Sequence, residues 1–194
     1  MNASRRLFLA RVAPLPILAP LLNGKRASVA VPAARPLDRD VATLDGILAA
    51  FYEVISGAAG VPRQWGRDRT LYIPGVRFVS LGSSGGRIRA SVYDHQAYVD
   101  ATDSFFVSKG FFEREIHRTT VRFGNFTQVL STYESRTTAD GPVIARGINS
   151  VQTFWDGGRW WIAGAVWDDE RPDNPIPSDL LPPASTSATE RKGS

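Results

Sequence analysis

The sequence contains no cysteine among its 194 residues. This absence excludes disulfide bonds, cysteine-ligated zinc, iron–sulfur clusters and a thiol nucleophile. The only two histidines, His95 and His117, lie 22 positions apart and form no local metal-binding motif. We therefore expect neither a metal ion nor a cofactor.

The chain has little excess of positive charge once its N-terminal segment is set aside. Its formal net charge is +4, but residues 1–30 hold five basic side chains and no acidic one, which leaves −1 for the rest. The remainder contains no run of basic residues interleaved with aromatic ones. The sequence therefore does not predict nucleic-acid binding.

The N-terminus has the features of an export signal. Residues 4–9 read Ser-Arg-Arg-Leu-Phe-Leu and resemble a twin-arginine signal. The apolar stretch that follows, residues 12–22, contains three prolines and is shorter than the ~20 residues of a membrane-spanning helix. Small residues then predict cleavage after Ala30 or Ala33. We expect a signal over residues 1–33, a periplasmic or secreted bacterial protein, and no stable membrane anchor after cleavage; the alternative is a disordered basic arm.

Proline placement marks the boundaries of the globular part. Five of the 13 prolines precede residue 37, five lie between residues 172 and 183, and only three lie between these groups. The end of the chain is also rich in serine and threonine. The sequence thus predicts one domain over residues 38–171 and a mostly disordered tail over residues 172–194.

Helical periodicity comes early in the domain, and strand-like patterns come late. Apolar residues at helical spacing from Val41 to Ile55 predict a first helix, and Asp94 is expected to cap another over residues 95–108. A short helix is expected between them, near residues 62–70. The predicted strands cover residues 76–81, 87–93, 111–123, 126–137, 143–155 and 159–167. This order predicts an α+β fold with three N-terminal-side helices on one face of a curved, mostly antiparallel sheet.

Several segments, in this order, resemble the nuclear transport factor 2-like superfamily, which includes SnoaL-like and ketosteroid-isomerase-like domains. They are the first helix, Trp65–Val79, Arg122–Asn125 leading into Val129 and Tyr133-Glu134, Gly147–Gln152, and Gly158–Ile162 with Trp167. The resemblance covers residues 38–170 and implies a cone-like α+β roll with an internal pocket, in a family whose members are often dimers. Because this fold hosts isomerases, cyclases, dehydratases and plain binding modules, the resemblance leaves the function open.

Ketosteroid-isomerase chemistry needs a carboxylate base, a tyrosine and a protonated acid in an apolar pocket. By the resemblance, the base falls at Ser80, the tyrosine near Phe51 or Tyr52, and the protonated acid at Ser150. Two of the three groups are missing, and this chemistry is therefore disfavoured. Whether the protein is an enzyme stays open.

Two tight turns, Gly124-Asn125 and Asp156–Arg159, predict which side chains share a face of the sheet. The Gly124-Asn125 turn, with regular pairing, places Glu115 and His117 on one face of the following hairpin. Both faces are mixed in polarity, so hydrophobicity alone does not select the interior. The resemblance favours an interior, ligand-binding set on the other face and on the last hairpin: Arg118, Ser131, Tyr133, Ser150, Gln152 and Trp167.

Three functions are compatible with this pattern. The first is an exported protein that binds a small, partly apolar organic molecule in its pocket. The second is a lyase, isomerase or cyclase in which His117 with Glu115, or Asp103, acts as acid and base. The third is a non-catalytic accessory module, with a filled core, that forms a homodimer.

Overall fold

The computed structural model describes residues 35–84 and 86–183, and the predicted export signal lies outside them. The described residues form four α-helices and six strands, one helix more than the three that the sequence predicted, in the predicted order of helices and strands. The helices are α1 (Asp38–Val41), α2 (Leu44–Glu53), α3 (Trp65–Asp68) and α4 (His95–Lys109). The strands are β1 (Tyr72–Ser84), β2 (Arg87–Tyr93), β3 (Phe112–Phe123), β4 (Phe126–Arg136), β5 (Ala145–Trp155) and β6 (Trp160–Asp169).

The six strands form one curved sheet in the order β2-β1-β6-β5-β4-β3. Every neighbouring pair is antiparallel except β1 and β6, which run parallel. The predicted α+β class is therefore confirmed. Among the described residues, no helix is long and apolar enough to cross a membrane.

Capping residues fix where the helices begin. The predicted first helix is divided because the Thr43 side chain accepts a hydrogen bond from the Gly46 amide at 2.9 Å and starts α2 anew. Asp94 caps α4 in the same way, through the Ala97 amide at 2.9 Å, as the sequence predicted.

The apolar core lies between α2 and the concave face of the sheet. Leu48 of α2 is buried together with Val129, Val151 and Ile162, which project from three adjacent strands. Burying an aliphatic side chain of this kind stabilises the fold by about 1.5–3 kcal/mol. This cluster holds α2 in place over the middle of the sheet.

A β-bulge at Ile116 changes the alternation of side chains along β3. Pairing with β4 is regular from the turn up to His117, which lies opposite Thr132, but the next pair joins Glu115 to Tyr133. Since one extra residue reverses the alternation, Glu115 lies on the concave face and His117 on the convex face. The prediction that Glu115 and His117 share a face is therefore wrong.

A second irregularity changes the register of β5 against β6. Thr153 pairs with Ile162, whereas Gln152 pairs with Gly164, which leaves one residue of β6 unpaired. Gln152 lies exposed on the convex face because it alternates along β5 with Val151 and Thr153, which are buried; on the same face Ser150 Oγ accepts a hydrogen bond from Gln128 Nε2 at 2.8 Å. The prediction that Ser150 and Gln152 line the interior is wrong, because a regular register places them on the face of Trp167, whereas the extra residue in β6 puts Trp167 on the opposite, concave face.

The first part of the predicted tail is ordered against the sheet. A 3₁₀ turn over Ser178–Leu180 follows the last strand, and Thr132 Oγ1 donates a hydrogen bond to the Leu180 carbonyl oxygen at 2.5 Å. Glu170 ties the start of this segment to β5 through an ion pair with Arg146 at 2.7 Å. The described structure thus continues past residue 171 to residue 183, and the rest of the predicted tail lies outside it.

Buried polar groups connect α3, β1 and α4. Asp68 is fully buried, accepts a hydrogen bond from Tyr72 Oη at 2.8 Å and lies 2.7 Å from His95 Nε2. His95 is itself only 8% exposed. Three elements thus meet at one carboxylate that water does not reach.

Replacing this carboxylate should destabilise the fold. Asp68→Ala leaves a buried hydroxyl and a buried imidazole without their partner, so we expect a loss of about 2–4 kcal/mol in the free energy of unfolding, measured by urea denaturation. Asp100→Ala is the control, since Asp100 bonds only to Gln96 on the exposed side of α4. A loss no larger than the control's would contradict this role for Asp68.

Candidate functional site

A cavity of about 290 Å³ lies between α2, α4 and the concave face of the sheet. Its volume is at the small end of the ~300–1,000 Å³ typical of ligand pockets. Eight aromatic side chains form most of its wall: Phe51, Tyr72, Phe78, Tyr98, Phe105, Phe106, Phe111 and Trp167. Polar side chains converge at one end: Glu113, Tyr133, Ser135, Asn149 and Asp169.

The exposure of the lining residues shows where this aromatic cavity opens. Phe78 is 2% exposed and lies at the bottom, whereas Phe105 and Ile144 are 49% and 50% exposed. Asp169, at the end of β6, is exposed as well. The mouth therefore lies between α4 and the end of the sheet where β5 begins and β6 ends, with a carboxylate at its rim.

A glycine allows the polar end to form. Tyr133 on β4 donates a hydrogen bond from Oη to Asp169 Oδ1 on β6, and its ring must pass over β5 to do so. Gly147 is the β5 residue beneath the ring, and a Cβ there would lie 2.4 Å from Tyr133 Oη. Any larger residue at position 147 would displace the tyrosine.

Glu113 is the buried acid of the cavity. Ser135 Oγ donates to Glu113 Oε2 at 2.9 Å. Burial raises the pKa of Glu113 to about 7, with the nearby Asp169 carboxylate adding to the rise and hydrogen bonds from Ser135 and Asn149 opposing it. Both protonation states are thus accessible near neutral pH, as an acid or base in proton transfer requires.

A chain of hydrogen bonds runs from α2 into the cavity. Asn149 Nδ2 donates to Tyr52 Oη at 3.2 Å, and Tyr52 Oη lies 2.6 Å from Ser131 Oγ. Ser131 in turn donates to Glu115 Oε2. Burial, followed by the charge of Glu113, raises the pKa of Tyr52, so this hydroxyl stays protonated and acts as a donor.

A second cavity of about 410 Å³ lies beside α2 at the β3 edge of the sheet, and Glu113 lines both. Its arginines are already paired. Arg118 binds Asp45 at 2.5 Å and Glu115 at 2.6 Å, and two further arginines share Glu134 at 2.6–2.7 Å. The charged groups of this second cavity therefore largely neutralise one another.

The predicted catalytic residues do not converge on the aromatic cavity. Glu115 lines the second cavity beside Arg118, and His117 lies on the convex face. Asp103 accepts a hydrogen bond from Trp65 Nε1 at 2.6 Å, which ties α3 to α4. The described part of the chain also contains no group of three or more His, Asp or Glu side chains that could hold a metal ion.

Four of the six predicted ligand-binding residues do lie on the concave face: Arg118, Ser131, Tyr133 and Trp167. Only Tyr133 and Trp167 line the aromatic cavity, and their binding role stays a prediction. Sequence reasoning missed Glu113, Asn149 and Asp169. Asn149 could have been assigned to the interior, because it shares a face of β5 with Val151 and Thr153, which are buried.

No protein-family model matches this chain, and no curated protein matches it. Solved structures do resemble it. A protein of unknown function with a cystatin-like fold from Nostoc punctiforme is 6% identical, with a TM-score of 0.48 over 64% of this chain and 86% of that one. A proposed dehydratase of the NTF2-like family from Streptomyces avermitilis is 12% identical, with a TM-score of 0.46 over 73% and 99%. An NTF2-like protein of unknown function from Silicibacter pomeroyi is 12% identical, with a TM-score of 0.43 over 66% and 94%. At these identities the likeness concerns the fold alone.

Adding one methyl group at Gly147 should disrupt the polar end. In Gly147→Ala the new Cβ would lie 2.4 Å from Tyr133 Oη and 2.5 Å from the Asp168 carbonyl oxygen. We expect a loss of about 1–3 kcal/mol in the free energy of unfolding, measured by urea denaturation. Gly66→Ala is the matched control, because a Cβ there meets nothing within 4 Å. Equal stability of both variants would refute the close approach.

The stability of the protein should fall with rising pH because of Glu113. The pKa of Glu113 is raised in the folded state from 4.5 to about 7, so the folded protein holds this proton more tightly than the unfolded chain does. Its stabilising contribution is therefore complete below about pH 4.5 and disappears as the pH rises through about 7.

Comparison with Glu113→Gln tests this dependence. Between about pH 4.5 and 8, the wild type should lose on the order of 1–3 kcal/mol relative to this variant, measured by urea denaturation at several pH values. Parallel pH profiles of the two proteins would show that Glu113 titrates at its ordinary value.

Proposed function

We propose that this protein binds a small, partly apolar organic molecule in the aromatic cavity. The observation that carries the proposal is an open space of about 290 Å³ with aromatic walls and five polar side chains gathered at one end. Protein interiors are otherwise close-packed, so an unfilled space with this lining is typical of a ligand site. The alternative of an accessory module with a filled core gains no support from it.

The two parts of the lining would act differently on such a ligand. The rings of Phe106 and Phe111 stack at 4.1 Å and form a rigid apolar surface, against which burial of the ligand is favourable. Tyr133 and Asn149 are fixed by their own hydrogen bonds and would orient polar atoms of the ligand. Affinity would thus come mainly from the wall and orientation from the polar end.

Filling the cavity should abolish binding. We expect 2-naphthol, a bicyclic probe with one hydroxyl, to bind the wild type in isothermal titration calorimetry. Thr102→Phe places a ring into the cavity from α4 and should lower affinity at least ~10-fold. The adjacent Ala101→Phe is the matched control, since Ala101 faces solvent.

Equal binding by both variants would contradict the proposal. A second filling variant, Ala145→Leu, protects the test against misfolding of the first, because Ala145 lines the cavity from β5. Circular dichroism of each variant confirms that it is folded.

A second candidate function is proton transfer with Glu113 as the acid or base. The observation that favours it is the position of this carboxyl inside the cavity, with a pKa of about 7. Ionised Glu113 would remove a proton from a bound carbon acid, and protonated Glu113 would return it at another atom. This replaces the predicted set of His117, Glu115 and Asp103, which does not meet in the cavity.

Elimination of 5-nitrobenzisoxazole tests a desolvated carboxylate base directly. The base takes the proton from C3, the C–H electron pair forms the nitrile, and the N–O bond breaks to give a coloured phenolate. The rate should rise as the pH increases through about 7 and fall ~100-fold or more in Glu113→Gln. Glu53→Gln, an exposed glutamate of the second cavity, is the control. A rate unchanged by Glu113→Gln would eliminate this function.

We also propose that residues 1–33 direct export by the twin-arginine route and that the protein works in the periplasm or outside the cell. The twin-arginine pattern of residues 4–9 supports this. Recovery of mature protein beginning at residue 31 or 34 from the periplasm would be the expected result. A homodimer stays a prediction of the sequence resemblance.

A further inference from the structure

We infer that the aromatic cavity selects an organic cation, such as an arylalkylamine or a quaternary ammonium compound, over a neutral or anionic molecule of the same shape. This inference rests on the proposed binding function and adds the class of ligand. It depends on three features of the cavity: its acidic groups, the absence of basic side chains from its lining, and its aromatic wall.

The lining of the aromatic cavity contains two carboxyl groups and no basic side chain. Glu113 lies in the interior and Asp169 at the mouth, and no arginine, lysine or histidine is among the other lining residues. Within the described ranges, neither carboxyl group has a basic side chain within 4.0 Å. Arg171 pairs with Asp168, donates to the Asp169 carbonyl oxygen at 3.1 Å and attracts the Asp169 carboxylate from outside the lining. The negative charge of the cavity is therefore compensated only in part by the protein.

The two acidic residues next to Asp169 in the sequence form ion pairs, whereas Asp169 does not. Asp168 forms an ion pair with Arg171, and Glu170 forms one with Arg146 at 2.7 Å. Asp169 lies between them but projects to the concave face, where its hydrogen-bond donor is the neutral Tyr133. The two neighbours thus form ion pairs with arginines, whereas Arg171 acts on the Asp169 carboxylate only at longer range, without an ion pair.

A ligand cation would supply the missing charge. Burial raises the pKa of Glu113, and repulsion by the nearby Asp169 carboxylate adds to the rise. Burial raises the pKa of Tyr98 and of Tyr133, and the charge of Glu113 adds to the rise. A bound cation would stabilise both carboxylates in their ionised state, and in this setting the attraction is stronger than in water.

The aromatic wall is suited to the same ligand. The rings of Tyr72, Phe78, Tyr98 and Trp167 form a continuous series, with successive centroids 5.0, 5.1 and 6.0 Å apart. The faces of aromatic rings attract cations within about 6 Å, and quaternary ammonium groups are bound in proteins by such walls. The wall therefore favours a cation and also accommodates the apolar part of the molecule.

The groups around Glu113 determine how binding depends on pH. Asp169 on β6 faces it with a negative charge, and three neutral tyrosines face it from α2, α4 and β4: Tyr52, Tyr98 and Tyr133. On the side of the second cavity lie Glu53, Arg114, Glu115, Arg118, Glu134 and Arg136. The three arginines of that set are already in ion pairs with acids, so they leave the charge of Glu113 available to a ligand.

Two isosteric probes test the inference: the phenyltrimethylammonium ion and neutral tert-butylbenzene, with benzenesulfonate as the anionic probe. By ligand-observed NMR titration at about pH 8, the cation should bind at least ~10-fold more tightly than the neutral isostere, and the anion should bind least. At about pH 5.5 the advantage of the cation should shrink, because Glu113 is then protonated.

Two variants identify the groups responsible. Glu113→Gln and Asp169→Asn should each weaken binding of the cation ~5-fold or more while leaving the neutral isostere unchanged. Asp173→Asn is the matched control, since Asp173 is exposed beyond the cavity and near Arg171. An unchanged cation affinity in both cavity variants would overturn the inference.

The remaining outcomes separate this inference from the proposed function. If the neutral isostere binds as tightly as the cation and Thr102→Phe abolishes both, the selection for cations is wrong and the binding function stands. If no probe binds the wild type at millimolar concentration, the proposed function itself fails. If acetophenone at about pH 5.5 binds more tightly than the ammonium ion at about pH 8, Glu113 is a donor to a neutral carbonyl and the inference is overturned.

Discussion

The register of β3 against β4 is the constraint on which the candidate site depends. Side chains alternate between the faces of a strand, so one extra residue at Ile116 decides which acids reach the concave face. With the bulge, Glu113 lies opposite Ser135 and Glu115 opposite Tyr133. Without it, the same pairing from the turn would carry both glutamates to the convex face, and the cavity would lose its buried acid.

This site is held open at the expense of packing that would stabilise the fold. A cavity gives up dispersion contacts, and a buried carboxyl group gives up hydration. Compensation comes from elsewhere: the apolar cluster under α2, and Asp68, which joins α3, β1 and α4. The elements that surround the cavity are thus fixed by contacts outside it, which leaves its lining free to be chosen for a ligand.

The sequence predicted the fold well and the site only in part. Helical spacing located α2 and α4, and the Gly124-Asn125 turn gave the correct pairs from Phe123–Phe126 to His117–Thr132. Beyond His117 the prediction failed, because no glycine or proline marks the bulge and both faces of the strand are mixed in polarity. A bulge in β6 likewise separates Gln152 from Trp167, which a regular register places on one face, and here Gly164 beside the unpaired Ala163 was a signal of the bulge. Positions close to a turn could be derived, and those beyond a bulge could not.

The wall and the acids of the cavity are coupled rather than merely adjacent. Aromatic side chains exclude water and lower the local dielectric response, which makes each unpaired carboxylate more costly and makes its attraction to a cation stronger. Asp168 and Glu170 form ion pairs with arginines, whereas the Asp169 carboxylate forms none. Its side chain instead turns toward Tyr133 and places a carboxylate at the rim of the cavity, while Glu113 lies deeper among the aromatic side chains. A molecule that carries both a positive charge and an apolar body would match both parts of the cavity at once.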